Sequence, residues 1–424
     1  PNRDCCTKGG CMKILHTADL HFDNNPAFLR DIVKCCNYLL SHHAKEEKPD
    51  VIVVAGDTFN QGSILGSPAT IEAINFVMGC AEIAPVLIVK GTLSHDSPPD
   101  CLDVFQNLKC SNPVYVAKAI EQIALTEHGF AQLTTEKIAE AKAIFSCLPS
   151  VSKSNFIANG NSDNAIAKMN YEIAELLRDV FQGWGVVNKI ANSMGIPTIL
   201  CGHGTVTGAE ASTGQKIIGR DIEFSLNDLA LAKARLVALG HIHKQQSWNL
   251  GEELNVCYCG SITRNDYAET EDKGFYLHEW DGERFASNFV KTPARVMRTI
   301  AYEGLPTIDR LDEINEGDEV RIVYTVNQED AAKIDEAELE RVAREKGAAS
   351  FKINKTVVPI VRSRSEGISK LKTLEEKLLS WGEAANVEIT ESVIDKLRLV
   401  ETHDADEIIA TYKNENSMEV ANAA

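Results

Sequence analysis

The segment Val51-Ile52-Val53-Val54-Ala55-Gly56-Asp57 decides the fold of this 424-residue chain. Five consecutive apolar residues, most of them β-branched, predict a short strand that is buried on both faces. A glycine and an aspartate close the strand with a tight polar turn. Strands buried on both faces are typical of α/β proteins, in which helices cover a mostly parallel sheet.

Four further apolar runs predict strands of the same kind, and they lie at 13–18, 86–89, 198–201 and 236–239. Helix-like stretches such as 28–41 and 70–84 separate them, so the alternation predicts an α/β fold with helices packed outside the sheets. Between the third and fourth runs we expect a helix-rich insertion, roughly Asp103–Ser193. Its strongest helix is predicted over Ala165–Phe181.

The composition limits the function. Apolar residues make up 44% and charged residues 25%, which indicates substantial cores and excludes dominant disorder. No run approaches the roughly 18 apolar residues of a membrane helix. With 43 Lys and Arg against 61 Asp and Glu, the net charge of -18 excludes nucleic-acid binding by bulk positive charge.

Twelve cysteines occur without any C-x-x-C pair, so the usual zinc and thioredoxin spacings are absent. With no secretory signal recognised, we expect reduced thiols and a cytoplasmic location. Cys5, Cys6 and Cys11 either bind a metal or belong to a frayed leader. We favour a disordered leader over residues 1–11.

The composition changes after about residue 290. Predicted strands at 319–325 and 350–361 flank a highly charged helix at 329–346, which indicates a small α+β unit at 291–362. Beyond it, apolar residues recur at helical spacing, with a second helix at about 391–400. The helices of 363–424 either fold back on their own domain or present an apolar face to a partner. Both alternatives remain open.

Polar side chains follow five predicted strands at the point where each strand ends. Because active sites of α/β proteins lie beyond the carboxyl ends of the strands, we expect these side chains to converge. Each motif alone is ordinary loop chemistry or a hydrogen-bonded core histidine, but the ordered set predicts a metal centre. Its members are Asp19 and His21, Asp57, Ser94-His95-Asp96, His203, and His241 with His243.

The donor types limit the metal. Carboxylate oxygen and imidazole nitrogen, with no thiolate, favour Mn²⁺, Fe²⁺ or Zn²⁺ over Ca²⁺ or a structural cysteine-type zinc site. His241 and His243 alternate on an extended segment and therefore point the same way. Two metals about 3.5–4 Å apart need a bridging carboxylate, for which Asp57 is the natural candidate.

The ordered set D-x-H, G-D, (S)-H-D, G-H and G-H-x-H resembles the calcineurin-like metallophosphoesterases, and within them the SbcD-type nuclease subunits of DNA repair. The resemblance implies a nuclease domain over 12–290, arranged as a four-layer αββα sandwich, with a small α+β capping domain and C-terminal helices. The segments that carry it are Ile14–His21, Asp50–Phe59, Leu239–His243, Gly260-Ser261, Lys273–Phe275 and Thr292–Arg295.

The resemblance also implies two groups of metal ligands. The first metal would be held by Asp19, His21, Asp57 and His243, and the second by Asp57, His203 and His241.

The resemblance further implies that His95 protonates the leaving oxygen or steadies the phosphate, while Asp96 orients His95. The chain departs from the family in two places. Ser94 stands where the family has a ligand asparagine and is a candidate metal ligand. Asn60 stands where related nucleases often place a further histidine near the substrate and is a candidate for substrate binding.

The function implied is a Mn²⁺-dependent DNA nuclease, an exonuclease on double strands and an endonuclease on single strands. It would hydrolyse phosphodiesters with a two-metal-activated water, as a homodimer with an SbcC-like SMC-family ATPase, in repair and recombination. A small-molecule phosphodiesterase or phosphatase and a non-catalytic scaffold are the alternatives. Four basic residues of the cap could contact DNA phosphates, although the simpler interpretation is that they are solvated surface charges. These residues are Lys352, Lys355, Arg362 and Arg364.

Overall fold

The structure of the chain is a computed structural model. It describes residues 11–62, 64–98, 100–150, 163–213, 215, 223–251, 253–359, 368–405 and 407–409. The strands are β1 Met12–Thr17, β2 Val51–Ala55, β3 Val86–Val89, β4 Val114–Ala117, β5 Glu121–Thr126, β6 Gly129–Gln132, β7 Ala143–Leu148, β8 Thr198–His203, β9 Thr205–Val206, β10 Glu223–Phe224, β11 Leu236–Gly240, β12 Gln246–Leu250, β13 Leu254–Tyr258, β14 Gly274–Trp280, β15 Phe285–Lys291, β16 Met297–Glu303, β17 Glu319–Asn327 and β18 Ser350–Val358.

The helices are α1 Pro26–Tyr38, α2 Lys45–Glu47, α3 Pro68–Ala81, α4 Asp103–Gln106, α5 Thr135–Glu140, α6 Asp163–Ser193, α7 Leu226–Leu231, α8 Gln328–Ala331, α9 Glu336–Glu345, α10 Leu374–Ala385 and α11 Glu391–Thr402. A π-helical turn at Leu39–Ala44 follows α1, and 3-10 turns occur at Ile308–Glu313 and Ile368–Lys370.

Two large sheets pack face to face. The first has the strand order β15-β14-β1-β2-β3-β4 and the second β12-β13-β11-β8-β7-β5-β6. The strands that lead to the predicted ligands pair in parallel, β1 with β2 and β2 with β3 in one sheet, and β8 with β11 in the other. Their carboxyl ends therefore meet at one edge of each sheet.

Alternation along β2 explains the layers. Val51, Val53 and Ala55 lie in the core between the sheets, together with Phe145 and Cys201 of the second sheet. The intervening Ile52 and Val54 lie in the core between the first sheet and its helices. Because successive side chains of a strand point to opposite faces, an unbroken apolar run is what a strand buried on both sides requires.

Helices α1 and α3 cover the outer face of the first sheet, and α6 and α7 cover that of the second. Both α1 and α3 begin with a proline at the first helical position, and Asn25 and Ser67 cap them by accepting from backbone amides. The layers are thus helix, sheet, sheet, helix, and the predicted α/β sandwich is confirmed.

The predicted helix-rich insertion at 103–193 is wrong. This segment supplies β4 to the first sheet and β5, β6 and β7 to the second, so it is part of the sandwich. Sequence patterning does not reveal these strands, because short apolar runs such as Ala143–Leu148 have no period that separates strand from helix. The predicted helix over 165–181 exists but is longer, since α6 extends to Ser193.

The C-terminal region contains a three-stranded sheet of order β16-β17-β18. The chain divides into two compact units, one of residues 1–324 with 335–354 and the other of 325–334 with 355–424, and the expected capping domain at 291–362 coincides with neither. The predicted charged helix at 329–346 is instead two helices, α8 and α9. The break occurs where Asp335 caps α9 by accepting from the amide of Glu338.

Ten cysteines lie in the described part of the chain, all as free thiols, and eight of them are buried. Burial raises the pKa of the Cys35 and Cys257 thiols to about 12, so these thiols stay protonated. Among the residues the structure describes, no helix combines the length and apolar character needed to cross a bilayer. Residues 1–10, including Cys5 and Cys6, lie outside the described ranges.

Candidate metal centre

The predicted ligands converge at the carboxyl ends of the central strands. Asp19 and His21 follow β1, and their amides donate to the carbonyl oxygens of Gly56 and Asp57 at 3.1 Å each, which joins the first loop to the one after β2. The amide of His241, after β11 of the second sheet, lies 3.0 Å from both carboxylate oxygens of Asp19. Residues from the two sheets therefore meet at one site.

The side chains form three overlapping groups, and within each group the ligand atoms all lie within 4.8 Å of one another. All predicted carboxylate and imidazole ligands occur in them, and Asp57 and His21 occur in two groups each. The groups are Asp19–His21–His243, His21–Asp57–His95 and Asp57–His203–His241. Two cation positions with Asp57 between them fit this arrangement.

The backbone at the ligands adopts a conformation that L-residues rarely take. The φ angles are +49° at Asp19, His21 and Asp57, and +100° at His241. A left-handed conformation at a non-glycine residue costs of order 1–3 kcal/mol and persists only where the surroundings enforce it. Four of the seven non-glycine residues with positive φ in the described part of the chain are predicted ligands, which fits a functional role for this edge of the sheets.

Glycines let the strand ends approach each other. A Cβ on Gly91 would lie 2.1 Å from both the amide nitrogen and Oδ1 of Asp57. A Cβ on Gly240 would lie 2.0 Å from the carbonyl oxygen of Ala55. Gly91 and Gly240, the glycine of the G-H-x-H motif, are therefore packing requirements of the site.

The tautomers of two histidines fit a metal. Nδ1 of His203 lies 2.8 Å from the carbonyl oxygen of Ala55, and Nδ1 of His243 lies 3.2 Å from Glu269 Oε1. Each Nδ1–H therefore donates outward, which leaves the Nε2 lone pair directed into the site. Nε2 of His243 lies 2.9 Å from Nε2 of His21, whose Nδ1 is buried without a hydrogen-bond partner. Converging ring nitrogens of this kind fit a bound cation.

The electrostatics of Asp57 and His203 also fit. Burial alone would raise the pKa of Asp57, but His203 holds it well below the usual range. Burial alone would lower the pKa of His203, but Asp57, 3.2 Å from Nε2, raises it to about 10. Without a cation, a proton on Nε2 balances the carboxylate charge. Metal ligation requires the neutral ring, so a cation would replace this proton.

Two further imidazoles, those of His21 and His241, are neutral at pH 7. Burial, and then the charge of His203, lower the pKa of His241 to about 3. Burial and His243 lower the pKa of His21 well below its usual value. Neutral imidazoles are the form that binds metal, so both rings are ready ligands.

His95 lies at the open side of the cluster. Its side chain is 30% exposed, and its Nε2 lies 3.9 Å from Asp57 Oδ2. The expected role of Asp96 is corrected here. Its two carboxylate oxygens accept from the amides of Phe59 and Gly91, at 3.1 and 2.8 Å, and thus tie the loops after β2 and β3 together. The ring of His95 is oriented instead by the main-chain carbonyl of Asn60, 2.5 Å from Nδ1.

Asn60 and Ser94 are placed at the edge of the site. The side chain of Asn60 donates to the carboxylate of Asp23, so its contribution near His95 is made by its main chain. Ser94 is exposed and its hydroxyl lies 3.1 Å from that of Thr92. Thr92 in turn donates to Asp57 Oδ1 from its amide at 2.7 Å and from its hydroxyl at 3.1 Å. In this loop Thr92 therefore bonds to the carboxylate of Asp57, and Ser94 bonds to Thr92.

The predicted DNA-contacting lysines lie outside these groups. Lys352 is exposed, with its ammonium 5.9 Å from the ring centre of Tyr267, and Lys355 is exposed near the end of β18. Arg362 and Arg364 lie outside the described residues.

Sequence reasoning missed the residues that hold the ligands from behind. Glu269 is 2% exposed and bonds to His243, and Lys273 is buried against it at 2.8 Å. Burial alone would raise the pKa of Glu269, but His243 and Lys273 lower it to about 2. Gln215 accepts from the amide of His243 at 3.0 Å and donates to the carbonyl of His241 at 2.6 Å. The one sequence signal that could have pointed to the contacts of Glu269 is the group of acidic residues just before Lys273.

Comparison with known proteins agrees with this geometry. The SbcD component of nuclease SbcCD from Escherichia coli K12 is 28% identical over 282 residues, which is 63% of this chain and 64% of that protein. The protein of the same name from Staphylococcus epidermidis is 25% identical over 276 residues, 62% of this chain and 65% of that one. The chain thus spans slightly less than two thirds of these relatives' length.

Among solved structures, a dimetal phosphatase from Danio rerio aligns with a TM-score of 0.43 and 11% identity, over 66% of this chain and 96% of that one. Residues 12–245, more than half of the chain, match the calcineurin-like phosphoesterase family. This match covers every residue of the three ligand groups, and the chain belongs to the calcineurin-like phosphoesterase family.

Proposed function

We propose that this chain is a metal-dependent DNA nuclease of the SbcD type, which hydrolyses phosphodiester bonds at the Asp57-centred cluster. The observation that carries the proposal is the set of three overlapping ligand groups at one edge of the sandwich, in a chain similar to the SbcD component of nuclease SbcCD. Bound divalent cations at such a site would lower the pKa of water and stabilise charge on a phosphoryl transition state. Mn²⁺ is the proposed ion, and Fe²⁺ and Zn²⁺, which carboxylate and imidazole donors also suit, are the alternatives.

The protein's own residues have distinct tasks in this proposal. Asp19, Asp57 and the four buried or half-buried imidazoles hold the cations and exclude bulk water from them. His95 is the general acid or phosphate contact, since its ring is half-exposed at the mouth of the cluster and its Nδ1 is fixed by Asn60. Such a group must reach the leaving oxygen, which a fully buried ring would not.

The chain's partners and biological role are also proposed. We infer an SbcC-like ATPase partner by analogy with the name of the relatives. With it we propose a role in DNA repair or recombination in the cytoplasm, as a homodimer. The apolar residues exposed on the last two helices support a partner helix docking there. They are Leu374 and Leu379 of α10, and Val393 and Val400 of α11.

DNA contacts by Lys352 and Lys355 belong to the same proposal. Binding of duplex DNA weakens with salt, and the slope of log K against log salt measures how many phosphates the protein neutralises. Removing one lysine that neutralises a phosphate makes this slope shallower by about 0.9. Binding of linear duplex by Lys352→Ala and Lys355→Ala over a salt series measures this. An unchanged slope assigns both lysines to the solvated surface.

The deciding experiment compares three substrates with the purified chain. Linear duplex DNA, circular single-stranded DNA and bis-p-nitrophenyl phosphate are incubated with Mn²⁺, with Mg²⁺ and with EDTA, with and without an SbcC-like ATPase. We expect Mn²⁺-dependent DNA cleavage that EDTA abolishes. Hydrolysis of the small ester with intact DNA would indicate a small-molecule phosphodiesterase instead. A chain that binds metal but hydrolyses none of the three substrates would indicate a scaffold.

A further inference from the structure

The carboxylate of Glu269 uses its two oxygens for different partners. Oε1 lies 3.2 Å from Nδ1 of His243. Oε2 lies 2.8 Å from the ammonium of Lys273 and accepts from the amide of Asn265 at 3.0 Å. Because Glu269 is 2% exposed, water does not compete for these bonds. One oxygen therefore serves a predicted metal ligand, and the other is held by two donors.

The two predicted cation positions differ in what fixes their histidines. At the Asp57–His203–His241 position, Nδ1 of His203 donates to a main-chain carbonyl, that of Ala55. At the Asp19–His21–His243 position, Nδ1 of His243 donates to a side chain, that of Glu269. A substitution can remove the second contact without touching the first. Hydrogen bonds of this kind set the tautomer and the direction of a ligating ring.

We propose that Glu269 is a positioning residue that fixes His243 as an Nε2 ligand, and thereby controls occupancy of the Asp19–His21–His243 position alone. The inference deepens the proposed function, because it rests on the two-cation centre. Lys273 acts with Glu269. The ammonium of Lys273 is fully buried and also donates to the carbonyl oxygen of His243 at 3.0 Å. This one ammonium group therefore holds both the carboxylate of Glu269 and the backbone of His243.

Glu269→Gln is the informative variant. Glutamine offers one oxygen and one amino group in place of two oxygens. Its oxygen is expected to take the Oε2 place, where Lys273 and Asn265 both donate. The amino group then faces Nδ1 of His243 and favours the tautomer with hydrogen on Nε2, which cannot bind a metal.

Glu271 provides the matched control. It lies on the same loop and contacts Lys273 at 2.9 Å, but its other side-chain hydrogen bond is accepted from Ser212. Glu271→Gln therefore removes the same charge from the neighbourhood of Lys273 while leaving the Glu269–His243 contact in place. Glu269→Asp is a second variant, which keeps the charge but shortens the side chain by one methylene and withdraws the oxygen from Nδ1.

The experiment is equilibrium dialysis of the full chain against buffered Mn²⁺ alone, with metal analysis and EPR of the spin-coupled ion pair. For the wild type and Glu271→Gln we expect two ions and a coupled signal. For Glu269→Gln and Glu269→Asp we expect one ion at unchanged affinity and the other bound about 10–100-fold more weakly, with an uncoupled signal at low Mn²⁺.

Two wild-type-affinity ions in both Glu269 variants would overturn the inference, as would an equal loss in Glu271→Gln. If Glu269→Gln does not fold, as judged by its circular dichroism, Glu269→Asp decides alone. A wild-type chain that binds fewer than two ions would overturn the proposed function itself, so the two failures are distinguishable.

Discussion

The main-chain carbonyl of Asn60 lies 2.5 Å from Nδ1 of His95, so the loop after β2 aims a histidine of the loop after β3. The Nδ1–H is used in this contact, and Nε2 is left facing Asp57 at 3.9 Å and the mouth of the cluster. Nε2 is therefore the ring atom of His95 that the proposed reaction would use. A backbone atom performs the orienting task that the family resemblance implies for Asp96.

His95→Gln is expected to reduce phosphodiester cleavage by about 10²–10⁴-fold, the usual contribution of a positioned acid or base. The metal content should remain that of the wild type, because the groups Asp19–His21–His243 and Asp57–His203–His241 are complete without His95. Single-turnover cleavage and metal analysis measure the two effects. His128→Gln, at an exposed position, is the control. Normal cleavage by His95→Gln would remove this residue from the mechanism.

Asp57→Asn and Asp19→Asn should differ in the number of cations lost. Asp57 shares one ligand group with His21, a ligand of the first cation position, and another with His203 and His241, the ligands of the second. Asp19 belongs only to the group with His21 and His243. We expect Asp57→Asn to lose both ions at a Mn²⁺ concentration that saturates the wild type, and Asp19→Asn to retain one, as measured by metal analysis after dialysis. Asp23→Asn, whose carboxylate bonds to Asn25 and Asn60, should retain both. Retention of two ions by Asp57→Asn would contradict the shared position of this carboxylate.

Gly91→Ala should destabilise the fold, because the added methyl group would meet the backbone and carboxylate of Asp57 at 2.1 Å. Overpacking of this kind typically costs about 1–3 kcal/mol of unfolding free energy. Gly183→Ala is the matched control, since this glycine lies exposed in α6 with open space where the methyl would go. There we expect a gain of about 0.5–1 kcal/mol. Urea unfolding measures both, and equal effects would refute the packing argument.

A buried histidine pair away from the metal ligands predicts an acid-dependent stability. His16 and His278 are fully buried, and their nearest nitrogens are 3.3 Å apart. Burial lowers the pKa of His16 to about 3 and that of His278 well below its usual value. The unfolded chain binds these protons below about pH 6.5, while the folded chain does not. The stabilisation is therefore complete above pH 6.5 and is lost as the pH falls toward 3.

The measurement is the unfolding free energy of the wild type and of His16→Phe between pH 7 and pH 4. Each proton taken up on unfolding contributes a slope of about 1.4 kcal/mol per pH unit. We expect a shallower slope for His16→Phe and an unchanged slope for the control His128→Phe. A wild-type slope that persists in His16→Phe would show that another group carries the acid sensitivity.

The convergence of the candidate ligands could be predicted from sequence because these residues lie at strand ends, and a strand end is a local signal. For example, the apolar run Val51–Ala55 predicts the strand, and the Gly56-Asp57 that follows it predicts the candidate ligand. The strands β5 to β7 could not be predicted in the same way. Their apolar runs are too short to show a period, and β7 joins the sheet by pairing with β8, which lies far along the chain.

Residues that act from behind the ligands were also beyond sequence reasoning. Glu269 is 26 positions from His243, and its role depends on Lys273 being folded against it. The contact of His95 with the carbonyl of Asn60, in place of the expected contact with Asp96, was unpredictable for a related reason. A carbonyl oxygen is present at every residue, so no side-chain pattern reveals which one will face a ring.

The left-handed turns at Asp19, His21, Asp57 and His241 limit how this centre can be transplanted. A graft of the same side chains onto relaxed loops would aim their donor atoms elsewhere, because the Cα–Cβ directions depend on φ. An engineer who moves the centre to a new scaffold must therefore copy the bent main chain and the two abutting sheet edges along with it. The smallest portable unit is the facing pair of strand ends, rather than a set of amino acids.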